Sequence, residues 1–172
     1  MLLAAPFAAV AGLLTLAGAL KLLAPEPPGS DAPGAVLGHA GTRVAGAVEL
    51  ALGIVAVVAP GRLVAGLVAA AFAAFSAYSL RLMVAGDTSD CGCFGVESGG
   101  VGPGHVVLDV ACAAVAVVAA IQPPRAIASV VAGAPLTGLV VAAGVAAAVY
   151  AIYLAYTTLP RAWRAYDGGA RR

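Results

Sequence analysis

"LVAGLVAAAFAAFSAYSLRLMVA", residues 63–85, is a run of 23 residues whose one charge, Arg81, stands near its end. About twenty apolar residues in a helix cross the hydrocarbon core of a bilayer. A run this long and this clean therefore reads as a membrane span. The composition around it agrees. Hydrophobic residues make up 62% of the 172 and charged residues 10%, with a mean hydropathy of +1.02. A soluble domain carries about a quarter charged residues, so this chain is expected to take the lipid bilayer as its solvent. Its net charge of +1 provides no footprint for nucleic acid.

Four further runs repeat the pattern. Leu2 to Leu23 is interrupted by Thr15 and Lys21. A second lies within Gly41 to Ala59, contains Glu49 and stops at Pro60-Gly61. His105 to Ile121 is ended by Pro123-Pro124, and the last lies within Leu136 to Leu159, ended by Pro160. Lipid offers open backbone groups no partner, so these segments are expected to be helices. The period-two alternation of a lipid-facing barrel strand is absent. The fold expected is all-α: a polytopic membrane helix bundle of five spans in the cytoplasmic membrane. Gly12 and Gly18, Gly46 and Gly53, and Gly138 and Gly144 suit close helix packing, because small residues let backbones approach in lipid. Ala17-Gly18-Ala19 offers a cleavage-like pattern, but a basic n-region is missing and the apolar run is too long. The first run is therefore read as a span rather than a signal peptide.

The ionisable residues are unevenly placed. Such a group inside a span is costly and by default marks a functional site. Spans alternate in direction, so each residue can be assigned to one end of the bundle. Lys21 closes the first span, Glu49 lies in the second, Arg81 closes the third, and His105 and Asp109 open the fourth. All five are expected at the end that carries the third loop. Lys21 and Arg81 also suit interfacial snorkelling, and His105 suits a helix start at the interface. Asp109, four residues on, shares its face. Glu49 is harder to explain away. It stands six residues beyond Arg43, about 9 Å further along the axis, and it needs a partner, for which Lys21 is the candidate. Cys112 reads as a small buried apolar side chain.

That third loop carries "DTSDCGCFGVESGG", residues 87–100, with Cys91 and Cys93 one glycine apart. Three chemistries compete. Cys91, Cys93 and His105, with Asp109 or Asp90, could ligate a metal, but the paired knuckles of a structural zinc site are missing. Two unpaired thiols could simply cross a loop. A dithiol/disulfide pair across Gly92 would close a small, strained ring, suited to exchange rather than stapling. A nearby cation such as Arg81 would favour the attacking thiolate. Redox exchange is the leading reading, with Cys91 and Cys93 as the reactive pair and no metal assigned.

Cys91-Gly92-Cys93-Phe94-Gly95 between the third and fourth spans resembles the methylamine utilisation protein MauE family, grouped with DoxX-like membrane proteins. "LAGALKLLAP" (16–25) is similar to the end of that family's first helix, "VELALGIVAVVAPGRL" (48–63) to its second, and "HVVLDVACAAVA" (105–116) to the opening of its fourth. The likeness runs over residues 10 to 120. It implies a DoxX-like four-helix membrane domain at 1–122, followed at 123–172 by a fifth C-terminal transmembrane helix and an Arg-rich tail. It also implies a redox-associated role, that of a thiol-disulfide oxidoreductase if the chain is an enzyme, with a thioredoxin-like partner of MauD or TlpA type. That role would be as in the maturation of methylamine dehydrogenase or another client. A quinone is the electron acceptor that analogy with membrane thiol oxidases implies. Cys91 and Cys93 would be catalytic, supported by Lys21, Glu49, Arg81, Phe94, Gly95, His105 and Asp109. The alternative is a non-enzymatic assembly scaffold or metal carrier using Cys91, Cys93 and His105.

Sidedness divides the observations. Lys21, Arg43, Arg81, Arg161, Arg164, Arg171 and Arg172 lie on the cysteine side, and only Arg62 and Arg125 on the other. The positive-inside rule would place the cysteines in the cytoplasm. Oxidative chemistry and the family likeness favour the extracytoplasmic face, which is the orientation expected.

Overall fold

The computed structural model describes residues 3–24, 39–86, 94 and 101–170; within the helices, the side chains of residues 39, 159–161 and 163–170 lie outside the description. All regular structure among the described residues is helical: α1 (Ala4–Leu23), α2 (His39–Val58), α3 (Arg62–Val84), α4 (Pro103–Ile121), α5 (Ile127–Gly133) and α6 (Pro135–Ala170). Five of these are long and apolar enough to cross a membrane, namely α1, α2, α3, α4 and the Pro135–Thr158 part of α6. The chain is a polytopic helical membrane bundle.

The helix ends follow from local chemistry. After α2, Ala59, Pro60 and Gly61 make the short connection to α3, where the missing proline N–H ends the ladder. Gly86 ends α3 at φ +67, a left-handed backbone that only glycine adopts cheaply, and its N–H donates to the Met83 carbonyl at 3.1 Å. Pro103 opens α4 at the position where a helix has no use for that N–H.

α1 packs along α2 and α3 along α4, while α6 lies mainly against α1. α1 is therefore the central helix. Over an 18-residue stretch of its span 56% of residues are buried, against 6% for α6, which is exposed along most of its span. Phe7, Leu13 and Leu14 of α1 form the middle of the core with Val68 and Phe72 of α3, Ala116 of α4 and Tyr156 of α6.

Glycines set the closest approach. A Cβ on Gly18 would collide with the backbone of Leu50 and with the Gly46 carbonyl oxygen, and one on Gly46 would sit 2.8 Å from the Lys21 Cβ. One on Gly53 would strike the backbone of Thr15 and the Ala11 carbonyl. α1 and α2 thus touch backbone to backbone. Gly12 similarly admits Val149 of α6, and Gly138 lets α5 fold against α6 beside Val131. Gly144 departs from expectation: nothing lies within 4 Å of its would-be Cβ. It sits on a stretch of α6 that turns mainly outward. Gly18→Ala is expected to lower the melting temperature in detergent, because overpacking a close-packed contact costs roughly 1–3 kcal/mol. Gly66→Ala, where nothing lies within 4 Å, is expected to melt like the parent or slightly above it.

Two features of the C-terminal half differ from the sequence reading. The short helix α5 follows Pro123-Pro124, where only a connection was expected. And Pro160 does not end the last helix, which runs on to Ala170. Just before the proline, the Thr157 and Thr158 hydroxyls donate to the Tyr153 and Leu154 carbonyls at 2.9 and 2.6 Å. Hydroxyl back-bonding of this kind bends helices, whereas the carbonyl that Pro160 leaves without its N–H is that of Tyr156.

Candidate functional site

The first polar group forms where α1 meets α2. Lys21 Nζ donates to Glu49 Oε1 at 2.5 Å, and both side chains are more than nine-tenths buried. Glycine accounts for the geometry. Gly18 stands one turn before Lys21, and Gly46 one turn before Glu49, so the two helices lie close enough for the side chains to meet. The Lys21 ammonium also sits over the Phe75 ring of α3, 5.2 Å from its centroid. A desolvated cation on an aromatic face gains about 2 kcal/mol. Glu49 Oε2 and the fully buried Ser79 Oγ have no hydrogen-bond partner among the described residues.

The second group forms at the start of α4. His105 occupies the third helical position, where its Nδ1 accepts the Gly102 N–H at 3.3 Å while its own N–H donates to the Gly102 carbonyl at 3.0 Å. The imidazole thereby supplies the reciprocal cap that a Glu or Gln supplies in a capping box. With Nδ1 accepting, a neutral ring carries its proton on Nε2. One turn on, Asp109 Oδ1 accepts a hydrogen bond of 2.6 Å from the Tyr156 hydroxyl of α6. His105 and Asp109 are each 1% exposed and Tyr156 2%, so this cluster is sealed from its surroundings.

Aromatic rings join the cluster to the cysteine-containing loop. Phe94, buried, packs edge-on against Tyr153 and Tyr156 with centroids 5.4 and 5.3 Å apart. Tyr156 also meets the His105 ring at 5.5 Å. A small cavity of about 10 Å³ adjoins the second polar group. Phe72, Phe75, Phe94 and Tyr156 wall it, Leu13 and Leu14 line it from α1, and Asp109 reaches it from α4. That volume has room for about one water molecule. Phe75 faces both the cavity and Lys21, so the two groups share one aromatic wall.

Of the residues singled out in the sequence, the structure brings together Lys21 with Glu49, and His105 and Asp109 with Phe94 through Tyr156. Arg81 is not among them. It was expected in the intramembrane cluster, but its side chain is exposed at the end of α3, because its position on the helix turns away from the core. Arg43, Arg62 and Arg125 are also exposed. Cys112 is a buried free cysteine packed in the core, as expected of a small apolar side chain. Cys91, Cys93 and Gly95, with Asp90 among the candidate ligands, lie outside the described residues. The sequence reading missed Tyr153, Tyr156, Phe75 and Ser79. Their one sequence signal is helical spacing: Tyr153 and Tyr156 stand three apart, and Phe72, Phe75 and Ser79 recur at three and four.

Between them, the buried Lys–Glu pair on the first two helices, the His and Asp opening α4, and a Phe directly after the Cys-Gly-Cys form one constellation. The model of the family described as methylamine utilisation protein MauE matches residues 1–122. The chain belongs to the MauE family. It is thus a multi-pass membrane protein of a methylamine utilisation family. Comparison with curated proteins and with solved structures returns no match. The matched region ends just after α4. Lys21, Glu49, Phe94, His105 and Asp109 fall inside it, whereas Tyr153 and Tyr156 do not.

Proposed function

We propose that the chain is a membrane thiol-disulfide redox protein that exchanges electrons with a thioredoxin-like partner of MauD or TlpA type, on behalf of methylamine dehydrogenase or another client. The observation that carries this reading is the buried His105–Asp109–Tyr156 cluster, on whose Tyr156 ring packs Phe94, the residue that directly follows Cys93. A segment that only crossed between helices would have no need of a sealed His–Asp–Tyr cluster against its phenylalanine, since burying polar groups costs desolvation. Family membership supports the same reading.

In the exchange, a thiolate of the partner attacks the Cys91–Cys93 disulfide and forms a mixed disulfide. The partner's second thiolate then displaces it. The partner leaves with a disulfide, and Cys91 and Cys93 are left as thiols. Two electrons have crossed, and the two protons given up by the partner's thiols balance those taken up here. Making the disulfide again requires a two-electron acceptor, for which a membrane quinone is the chemical class. The 10 Å³ cavity is too small for a quinone ring, so it is not assigned as the acceptor's site. The loop faces the extracytoplasmic side, where disulfides persist.

Differential alkylation in native membranes tests the reading. Adding a stoichiometric reduced thioredoxin-like dithiol protein should convert Cys91 and Cys93 from blocked to alkylatable as the added dithiols disappear. If both cysteines are already free and stay free while the added protein remains reduced, the reading fails. Labelling of Cys91 by a membrane-impermeant thiol reagent, applied to intact cells after reduction, reports the side; protection there would reverse the orientation.

A further inference from the structure

We infer that Tyr156 is a positioning residue of this site, so that the last span, outside the family-matched region, completes a constellation built by the first four helices. The inference rests on the redox reading for one of its two readouts only. Three contacts converge on this one side chain. Its hydroxyl holds Asp109 Oδ1 at 2.6 Å, its ring meets the edge of His105 at 5.5 Å, and the same ring packs against Phe94 at 5.3 Å. The side chain is 2% exposed, whereas α6 is otherwise exposed along most of its span. Burial is therefore concentrated where α6 meets the polar residues: Tyr156 and Thr157 are buried, whereas Leu136, Leu139, Val140 and Tyr150 are exposed.

The chemistry gives each part of the tyrosine a separate job. The hydroxyl donates to the Asp109 carboxyl group in a water-poor interior, where a hydrogen bond is electrostatically stronger than in water. It thereby fixes the carboxyl group one turn from His105, on the same face of α4. The ring is a wedge between His105 and Phe94. It sets the angle of the imidazole, whose Nδ1 is already held by the Gly102 N–H. Tyr153 adds a second edge-on contact to Phe94 one turn earlier on α6.

The two jobs separate by mutation in the full-length protein. Tyr156→Phe keeps the ring and removes the hydroxyl, whereas Tyr156→Leu removes both. The readouts are the ¹⁵N resonances of the His105 imidazole in detergent or nanodiscs, and the rate of exchange with a reduced thioredoxin-like protein. Tyr156→Phe should shift the His105 resonances and slow exchange about tenfold, with a melting temperature within a few degrees of the parent. Tyr156→Leu should shift the resonances further. Unchanged His105 resonances in Tyr156→Phe would overturn the inference, whatever the exchange rate. If the parent protein itself exchanges no thiols, the redox reading falls, and the resonances alone still decide whether Tyr156 positions the imidazole.

Discussion

Lys21→Met is expected to leave little folded protein. The substitution keeps a long apolar stem but deletes the ammonium that Glu49 faces at 2.5 Å in a site more than nine-tenths buried. Removing one partner of a buried ion pair costs about 3–5 kcal/mol, because the other charge is left uncompensated. That is a large share of the roughly 5–15 kcal/mol by which folded proteins are stable. The Phe75 ring loses its cation at the same time, and the close approach of α1 and α2 at Gly18 and Gly46 leaves the helices little room to adjust. The yield of monodisperse protein in mild detergent and its thermal melting measure the effect. The double variant Lys21→Met/Glu49→Leu should recover most of the lost yield, since replacing both charges by apolar side chains is often neutral or better. If the single variant melts with the parent, the ion pair does not carry the α1–α2 contact. Recovery of folding in the double variant without recovery of exchange would assign the pair to function rather than to stability.

Cys91→Ser and Cys93→Ser should each abolish detectable exchange with a reduced thioredoxin-like protein while leaving the melting temperature close to the parent's. A serine hydroxyl can neither form nor receive a disulfide, so the loss is chemical and complete. One serine variant should still trap the partner when that partner is supplied oxidised: the remaining thiolate attacks the partner's disulfide, one partner thiolate leaves, and the mixed disulfide, with no second cysteine on this chain to resolve it, is a covalent adduct visible on a non-reducing gel. Full exchange by both variants would remove the redox reading. Stoichiometric metal that disappears with Cys93→Ser would replace it by the carrier reading, and activity that survives loss of both cysteines would replace it by the scaffold.

Much of the frame was legible in the residues. The five spans follow from summed hydropathy over about twenty positions, a quantity that needs no knowledge of neighbours. The Lys21–Glu49 pair followed from cost: a carboxylate that deep requires a partner, and Lys21, near the end of the preceding span on the same side, was the candidate. The same reasoning failed for Arg81, which stands near the right end but on the wrong side of its helix. Tyr156 could not be found this way. It lies 47 residues from Asp109, and a tyrosine near the end of a span reads equally well as an interfacial anchor. The continuation of α6 past Pro160 was hidden because a proline removes one helical N–H and so commonly marks a helix end, and the local residues do not show where a helix will run through it.

The amino-acid sequence alone determined that this protein lives in the bilayer, that its spans are helices, and which end of the bundle is polar. Each of these is a sum along the chain or a count of crossings. Only the tertiary structure decided which polar groups touch: Lys21 with Glu49 and Phe75, and Asp109 with Tyr156, while Arg81 is left outside. Contacts of that kind depend on how far each helix is rotated about its axis and how closely two backbones come. Those quantities are set by packing between distant segments, here by glycines that let α1 and α2 meet backbone to backbone.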